Sequence, residues 1–570
     1  MDWKAVIRDL VGDNPCSSTY IQLFERLKIR ASPIAWFYYD EVRCELIGRL
    51  GEVGDVSTLR FLCNLLRTSP GQEIAAAARH SIAAIESRLR PWPKELAEET
   101  ALAGARRRPE PTSCKLGQLI ENHPLLGDLH VHLLGAGDAA FWRRQMLRWP
   151  DTVVDDGALG QVPQGRLPKR SREGVLFGNL AANASLLKGL LEMSEPAPGG
   201  FQTSFSPLFA LRKYVPWKHP ECLTALIGTC AQAYREDRVH YVEYSLGAGW
   251  FREPYLSAVV DGIEEARCRS GVIVRLLLAF NRSSVSTEIH NPAYLAALAK
   301  LGDRKLRHID EPVHYERHLG QLRAAEAALS ACPRAKDLVV GLDLMGNEAS
   351  RPYAPFLLPE FLKFASEKRE RNPNFGFRLH LGEGIYPNDD IGYVSLRLGA
   401  HYISELGERH GFRVRCGHGL GLPGLRESAL GRWQKQYPTI EIQASVERRI
   451  LDDLRMAPVE VNLTSNYYLM DSLGTDSNEG RSLRAHPMRR LLDRGFLLVL
   501  GTDDPGVFPK VTLRGEYRLA HRNGLLRSAG EFHALVAESV RASFAPPGTL
   551  VELAAIVLKL YPLEFLVQPA

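Results

Sequence analysis

Two histidines, His130 and His132, stand one residue apart in the apolar stretch GDLHVHLLGA. In an extended strand residues i and i+2 point to the same face, so the two imidazoles would project side by side and could clamp a metal ion. Alternatively, one histidine is a hydrogen-bonded core residue and the other lies at the solvated end of the strand. The H-x-H spacing alone does not decide between these two interpretations.

More polar residues of this kind follow later in the chain, each at the end of an apolar run. His380 and Glu383 occur in HLGE, His418 lies between two glycines, and Asp503 and Asp504 precede a proline. With the first pair they make four histidines and three carboxylates, a set that is hard to explain as filling of a hydrophobic core. Three other histidines have ordinary structural explanations and are not counted: His123, His401 and His486.

The elements that must position these residues are short apolar runs alternating with helical segments, which is typical of a βα-repeat fold. Eight runs are predicted to be strands: 125–133, 239–246, 271–280, 337–346, 375–384, 412–419, 458–466 and 496–505. Eight such strands predict an α/β fold, a (β/α)8 TIM barrel. Its strands converge with their carboxyl ends at one mouth, where the polar residues would meet. The strand-like run 439–445 is interpreted as an insertion.

Before the barrel, residues 1–90 show helical periodicity throughout and predict an all-α N-terminal domain resembling HEAT repeats. Residues 91–120 are rich in proline and charge and are interpreted as a linker, and residues 121–570 are predicted to form the barrel domain. Because such repeats bury their apolar faces against neighbours, we expect docking on the larger domain, or on a homo-oligomer or partner protein. A plain helical cap without a partner is the alternative.

Composition excludes several classes of protein. The chain has 570 residues, 45% hydrophobic and 24% charged, with a formal net charge of +5, which is too small for a dedicated nucleic-acid binder. No apolar run reaches 18 residues and no signal peptide is evident, so we expect a cytoplasmic protein without membrane association. Nine cysteines without a C-x-x-C pair indicate reduced thiols rather than a disulfide framework.

Six motifs in this order resemble the adenosine/AMP deaminase family of the zinc amidohydrolases. They are the HVH of the first strand, DLMGNE at 343–348, HLGE at 380–383, RCGHG at 415–419, LTSN at 463–466 and TDDP at 502–505. The resemblance covers the chain from about residue 125 onward. It implies a metal-dependent barrel that replaces the exocyclic amine of a purine and releases ammonia.

The resemblance also assigns a role to each residue. It implies one Zn²⁺ per chain, which lowers the pKa of a bound water from about 15.7 to about 7. Glu383 would protonate the purine ring nitrogen, His418 would orient the attacking water, and Asp504 would contact the base together with the backbone of Gly346. The metal ligands would be His130, His132, His380 and Asp503.

Other chemistries lack their motifs. The chain contains no P-C-x-x-C of the cytidine-type deaminases, no G-x-S-x-G and no Walker-type G-x-x-x-x-G-K-[ST]. Related two-metal amidohydrolases bridge their ions with a modified lysine at the end of the fourth strand. That strand has no lysine here, which favours a single metal, although donor types alone leave open a second metal or iron in place of zinc.

One position departs from the family pattern. Adenosine deaminases have Leu-Asp-Gly after the H-x-H, and the aspartate is associated with the 5′-hydroxyl of the nucleoside. This chain has Leu134 there, which removes a hydroxyl acceptor and a charge that would repel a 5′-phosphate. Within the class of adenosine, deoxyadenosine, AMP, dAMP and ATP, this departure therefore favours a nucleotide over free adenosine. Four basic residues could contact a phosphate: Arg166, Lys169, Arg170 and Arg172.

The alternative function is a purine-binding sensor or assembly scaffold that keeps the barrel without the reaction, or an amidohydrolase with another substrate. By analogy with family members that carry extra helical domains, a role in bacterial anti-phage defence is also a hypothesis.

Overall fold

A computed structural model of the chain describes residues 116–155, 174–194, 205–285, 312–346, 353–383, 398–420, 454–470 and 483–560, with Ile47, Ala77, Ala78, His80 and Ser81. Apart from these five positions, the predicted HEAT-like domain lies outside the described residues, as do the boundary at residue 90, the basic stretch around Arg170 and the run 439–445. The chain divides into two compact units, one made of residues 124–527 and 542–551, the other of 1–123, 528–541 and 552–570.

Eight parallel strands form one sheet in the first unit, in the order β1-β4-β5-β6-β7-β8-β9-β10. Their bounds are β1 Leu126–His132, β4 Val239–Gly247, β5 Ile273–Asn281, β6 Val339–Met345, β7 Gly376–Leu381, β8 Arg413–His418, β9 Val459–Val461 and β10 Leu498–Leu500. A two-stranded antiparallel sheet consists of β2 Val153–Val154 and β3 Val175–Leu176.

Among the described residues, a π-helix, Ser404–Arg409, lies between β7 and β8, and α-helices lie before β1, after β10 and between most other consecutive strands. The α-helices are α1 Leu116–Asn122, α2 Leu133–Ala136, α3 Ala139–Arg148, α4 Phe177–Ala182, α5 Ala184–Leu191, α6 Phe209–Lys218, α7 Glu221–Glu236, α8 Tyr255–Ser270, α9 Glu316–Ala331, α10 Pro359–Arg369, α11 Leu463–Met470, α12 Met488–Asp493, α13 Leu513–Arg522, α14 Ala529–Arg541 and α15 Pro547–Leu560. The predicted α/β fold, a (β/α)8 barrel, is confirmed. No described helix has the length and apolar character needed to cross a membrane.

The barrel closes between its first and last strands at a single parallel bridge, Val131 to Asp503. The amide of Asp503 donates to the carbonyl of His130 at 2.7 Å, and the amide of His132 donates to the carbonyl of Asp503 at 2.9 Å. The closing contact therefore lies at the candidate site residues themselves.

The last two barrel strands are shorter than predicted, the eighth extending only over Leu498–Leu500 instead of 496–505. The sequence predicted a strand over 458–466, but β9 ends at Val461 and α11 begins at Leu463. The side chain of Glu516 explains the change, because it accepts from the amide of Thr464 at 3.1 Å and also from the hydroxyl of Thr464. A carboxylate at this position satisfies an otherwise unpaired amide of the first helical turn.

The end of the barrel opposite the site is filled by Phe544, which is fully buried against Leu277 and Val340. A Cβ atom on Gly341 or Gly376 would lie 2.6 or 2.2 Å from its ring, so the ring occupies space that these two glycines leave open. The aromatic ring thus substitutes for interior side chains that the strands lack.

We expect Phe544→Ala to lower the free energy of unfolding by about 3 to 5 kcal/mol, because it leaves a cavity that the two glycines cannot fill. Denaturant unfolding of the full chain measures this loss. Met456→Ala, at a side chain that is 68% exposed, is the control and should cost far less. Equal losses in the two variants would contradict the proposed packing role.

Candidate metal centre and active site

The structure brings together five of the predicted site residues at the carboxyl ends of the barrel strands. The ring centroids of His130 lie 5.7 Å from those of His132, 4.8 Å from His380 and 4.8 Å from His418. Asp503 enters the same cluster from the loop after β10, and all five side chains are buried except for a partly exposed His132. Residues hundreds of positions apart are thus neighbours, as the barrel prediction required.

The backbone of two of these residues is strained. His418 has φ of 67° and Asp503 has φ of 62°, in the left-handed region that residues with a Cβ rarely adopt. Such conformations persist only when the surrounding structure imposes them, and they concentrate at functional sites. Here they occur at the points where β8 and β10 pass into loops at the barrel mouth.

The donor atoms lie close enough to one another to share one metal ion. His132 Nε2 lies 3.1 Å from His380 Nε2 and 3.3 Å from Asp503 Oδ1, and His130 Nε2 lies 3.6 Å from the same oxygen. Two donor atoms that each lie about 2.0 to 2.1 Å from one zinc ion can be no more than about 4.2 Å apart. The observed distances therefore allow the three nitrogens and one oxygen that the family resemblance implies to share one ion.

An ion would also satisfy a buried atom that has no other partner. His130 Nε2 makes no hydrogen bond within the described part of the chain, although the ring is fully buried. Burial lowers the pKa of His130 well below its usual value and that of His380 to about 4, so both rings are neutral and offer lone pairs. The residues present therefore fit a metal ion.

Two carboxylates behind the histidines determine which ring nitrogen faces the centre. Glu460 Oε2 lies 2.7 Å from His130 Nδ1, and Asp343 Oδ1 lies 3.2 Å from His380 Nδ1. A carboxylate on Nδ1 orients the ring and leaves Nε2 for the metal. Asp343 lies on the far nitrogen of His380 and therefore orients this ring rather than adding a fifth donor to the set.

Two buried arginines hold these carboxylates in turn. Arg378 donates to both oxygens of Asp343 at 2.9 and 2.7 Å, and Arg415 contacts Glu460 at 2.5 Å and Glu243 at 2.6 Å. Burial would raise the pKa of Asp343, but Arg378 keeps it well below its usual value. Burial raises the pKa of Glu460 to about 7, and the two arginines act against this rise.

Sequence reasoning missed this supporting layer. Asp343 and Arg415 enter the sequence motifs without a role of their own, and the motifs do not include Glu460 or Arg378. The available signal was charged residues inside runs that otherwise read as buried strands, since a buried charge requires a partner. In the VEV of β9, the glutamate at 460 is such a residue.

Glu383 and His418 face each other across the mouth. Glu383 Oε1 lies 3.7 Å from His418 Nε2, and His418 Nε2 lies 3.9 Å from Asp503 Oδ2. The side chain of Glu383 is 19% exposed, whereas that of His418 is fully buried. Burial lowers the pKa of His418 to about 3, so its imidazole is neutral.

Asp504 lies beside the cluster with almost no space around its carboxylate. A Cβ atom on Gly135 would lie 1.6 Å from Asp504 Oδ1, so only glycine permits this approach. Burial, and then the charge of Asp503, raise the pKa of Asp504 to about 7. Near neutrality this carboxyl group is therefore able to hold a proton and donate it in a hydrogen bond.

Arg212 fixes the loops around Asp504. It is fully buried and donates to the carbonyls of Leu134 at 3.3 Å, Leu191 at 2.6 Å and Gly506 at 2.7 Å, and to that of Gly137. One guanidinium from α6 therefore joins the loop after β1 to the loop after β10.

We expect Gly135→Ala to lower kcat/KM by about 100-fold while metal content stays at the wild-type level, because the new methyl group must displace the Asp504 carboxylate. Steady-state kinetics and elemental analysis check this. Gly228→Ala is the matched control, since a Cβ atom there, on helix α7, meets nothing within 4 Å. Equal activity of the two variants would show that the position of Asp504 is unimportant.

Gly346 follows β6 with φ of 100°, a conformation suited to glycine. Arg282 donates to its carbonyl at 3.2 Å and also to the carbonyl of His380. The structure thus connects Gly346 to the strand that carries His380. Leu134, the departure from the family pattern, is only 8% exposed.

No family model and no curated protein matches the chain. Among solved structures it is similar to an N6-mAMP deaminase from Arabidopsis, with 19% identity over 78% of this chain and 99% of that chain and a TM-score of 0.45. It is also similar to an adenine deaminase from Arthrobacter aurescens, with 16% identity over 76% and 99% and a TM-score of 0.43. A zinc-bound amidohydrolase from Burkholderia ambifaria shares 15% identity over 80% and 97%, with a TM-score of 0.43. The fold assignment rests on the strand order rather than on these likenesses.

Proposed function

We propose that this protein is a zinc-dependent hydrolytic deaminase that converts the 6-amino group of an adenine nucleoside or nucleotide to the corresponding oxo form and releases ammonia. The observation that carries the proposal is the convergence of a three-histidine, one-aspartate donor set with Glu383 and His418 at one barrel mouth. A bound zinc ion would supply the chemistry of an acidic water near pH 7.

The side chains of the chain divide the remaining work. Glu383 is the group with access to solvent, and we assign to it the protonation of the purine ring nitrogen that makes the ring carbon electrophilic. His418 Nε2 lies between Glu383 and Asp503, where it can hold the attacking water in place. Asp504, with its raised pKa, is assigned to a hydrogen bond with the base.

The proposed substrate class follows from Leu134. Its nearly buried aliphatic side chain gives no acceptor for a 5′-hydroxyl and no charge to repel a phosphate. We therefore favour AMP, dAMP or a higher phosphate over the free nucleoside. The basic residues 166–172, the helical N-terminal domain with its homo-oligomer or partner, the cytoplasmic location and the anti-phage role stay predictions from the sequence.

Ammonia release from adenosine, deoxyadenosine, AMP, dAMP and ATP, together with elemental analysis, tests the proposal. We expect about one zinc per chain and turnover of a phosphorylated member, lost on chelation and restored by zinc. Zinc without ammonia from any of the five would contradict the proposal and favour a purine sensor or another amidohydrolase. Good turnover of adenosine with none of the phosphorylated forms would overturn only the substrate class.

A further inference from the structure

Behind His418 the structure contains a buried chain of hydrogen bonds that ends at a second histidine. The backbone amide of Met488 lies 3.1 Å from His486 Nδ1, and His486 Nε2 lies 3.1 Å from Asn466 Oδ1. The side-chain amide nitrogen of Asn466 lies 3.0 Å from His418 Nδ1, and that of Asn462 lies farther from it, at 3.5 Å. All five residues are at most 2% exposed, so no solvent competes for these contacts.

The donor and the acceptor of every hydrogen bond in this series follow from the first bond, in which the partner of His486 is the amide of Met488. A backbone N–H can only donate, so His486 Nδ1 accepts and the proton of that ring is on Nε2. His486 Nε2–H must then meet the oxygen of Asn466, which turns the amide nitrogen toward His418. His418 Nδ1 therefore accepts, and its proton is on Nε2.

This tautomer differs from that of the two histidines with carboxylate partners. A carboxylate on Nδ1 of His130 or His380 requires a proton on that nitrogen and leaves Nε2 as a lone pair. The amide of Asn466 has the opposite effect and leaves an N–H on Nε2 of His418. That N–H points toward Glu383 Oε1 and Asp503 Oδ2, at 3.7 and 3.9 Å.

We propose that Asn466 and His486 are positioning residues that keep His418 a hydrogen-bond donor and thereby exclude it from the metal ligands. Distance alone does not exclude it, since His130, His380 and His418 also form a group whose nitrogens lie close enough to share an ion. Among these three histidines, the hydrogen-bond partner of Nδ1 determines whether Nε2 offers a lone pair to a metal or donates a hydrogen bond. The catalytic consequence rests on the proposed deaminase function, whereas the tautomer does not.

Asn466→Asp reverses the polarity of the last bond. The carboxylate accepts from both rings, so His418 takes its proton on Nδ1 and presents a lone pair to the centre. In the Co²⁺-substituted full chain we expect weaker visible d–d bands than in wild type, since His418 joins the ligands and the coordination number rises. Asn374→Asp adds the same charge at another buried asparagine, whose amide contacts the carbonyl of Ala545, and should leave the spectrum unchanged.

A second pair of variants tests His486 without adding a charge. His486→Leu leaves Asn466 Oδ1 without this donor, so the amide can rotate, and we expect kcat to fall about tenfold with KM unchanged. His486→Gln can still donate through its amide and should restore most of the activity. Equal losses in the two variants would indicate a merely structural role for His486 and would contradict the proposal.

The nitrogen NMR shifts of His418 in the metal-free chain, assigned with His418→Gln, report the tautomer directly. Wild type should show a protonated Nε2 and Asn466→Asp a protonated Nδ1. An Nδ1-protonated His418 in wild type, or identical Co²⁺ spectra in wild type and Asn466→Asp, would overturn the inference. Should the wild-type chain turn over no adenine substrate while these spectra differ as expected, the deaminase function fails and the tautomer stands.

Discussion

The Asp503→Asn variant is expected to lose its metal ion while its barrel stays folded. Asparagine has nearly the same shape and, like aspartate, tolerates the left-handed backbone that Asp503 adopts at φ of 62°. The two backbone hydrogen bonds that close the barrel at this residue can therefore persist. What disappears is the negative charge that lies 3.3 and 3.6 Å from the ring nitrogens of His132 and His130.

The expected loss of activity is large because the metal supplies several kcal/mol of transition-state stabilisation. At about 1.36 kcal/mol for each factor of ten, kcat/KM should fall about a thousandfold or more. Elemental analysis should find much less zinc than the one ion per chain expected of wild type, and circular dichroism should be unchanged. Asp504→Asn is the matched control, in which we expect zinc to remain and turnover to fall. Full zinc occupancy in Asp503→Asn would show that Asp503 is not a ligand.

The Glu383→Gln variant is expected to bind metal normally and to lose about 10² to 10⁴ in kcat, the range typical of a removed general acid. Glutamine has the same length and can still hydrogen-bond, but it cannot transfer a proton. Glu383 is not among the donor atoms that converge on the centre, so zinc content should not change.

The separate effects of the variant on kcat and on KM distinguish proton donation from substrate binding. A proton donor should affect kcat with little change in KM, whereas a residue that only binds substrate should raise KM. Glu367→Gln on helix α10, where the side chain is exposed, is the control for the loss of a carboxylate. A kcat of Glu383→Gln within threefold of that control would exclude proton transfer by this residue.

The barrel and its mouth could be predicted because they depend on local signals. Parallel strands buried on both faces produce apolar runs such as IVRLLLAFN in β5, and the polar residues that end them stand out. The length of the seventh strand could not be predicted, because Glu516, which contacts Thr464 at the start of α11, is more than fifty positions away in sequence. The pattern of residues around the seventh strand gives no indication of so distant a partner.

The same limit applies to the residues behind the site. His486 has no chemical signature in the sequence, and its role is evident only from its contact with Asn466. Phe544 is likewise unremarkable in sequence until Gly341 and Gly376 are seen to leave room for its ring. Polar residues at strand ends are predictable, whereas the residues that orient them require the three-dimensional arrangement.

The closing contact of the barrel has a consequence for how the protein resists local opening. His130 and His132 belong to the first strand and Asp503 follows the last, so an ion shared by them would act as a cross-link between two ends of a sheet several hundred residues apart. Only one bridge joins these strands directly, and cross-links that close long segments stabilise most in principle. The backbone amides of His132 and Asp503 take part in this closing contact. Their protection against hydrogen exchange should therefore rise with metal concentration.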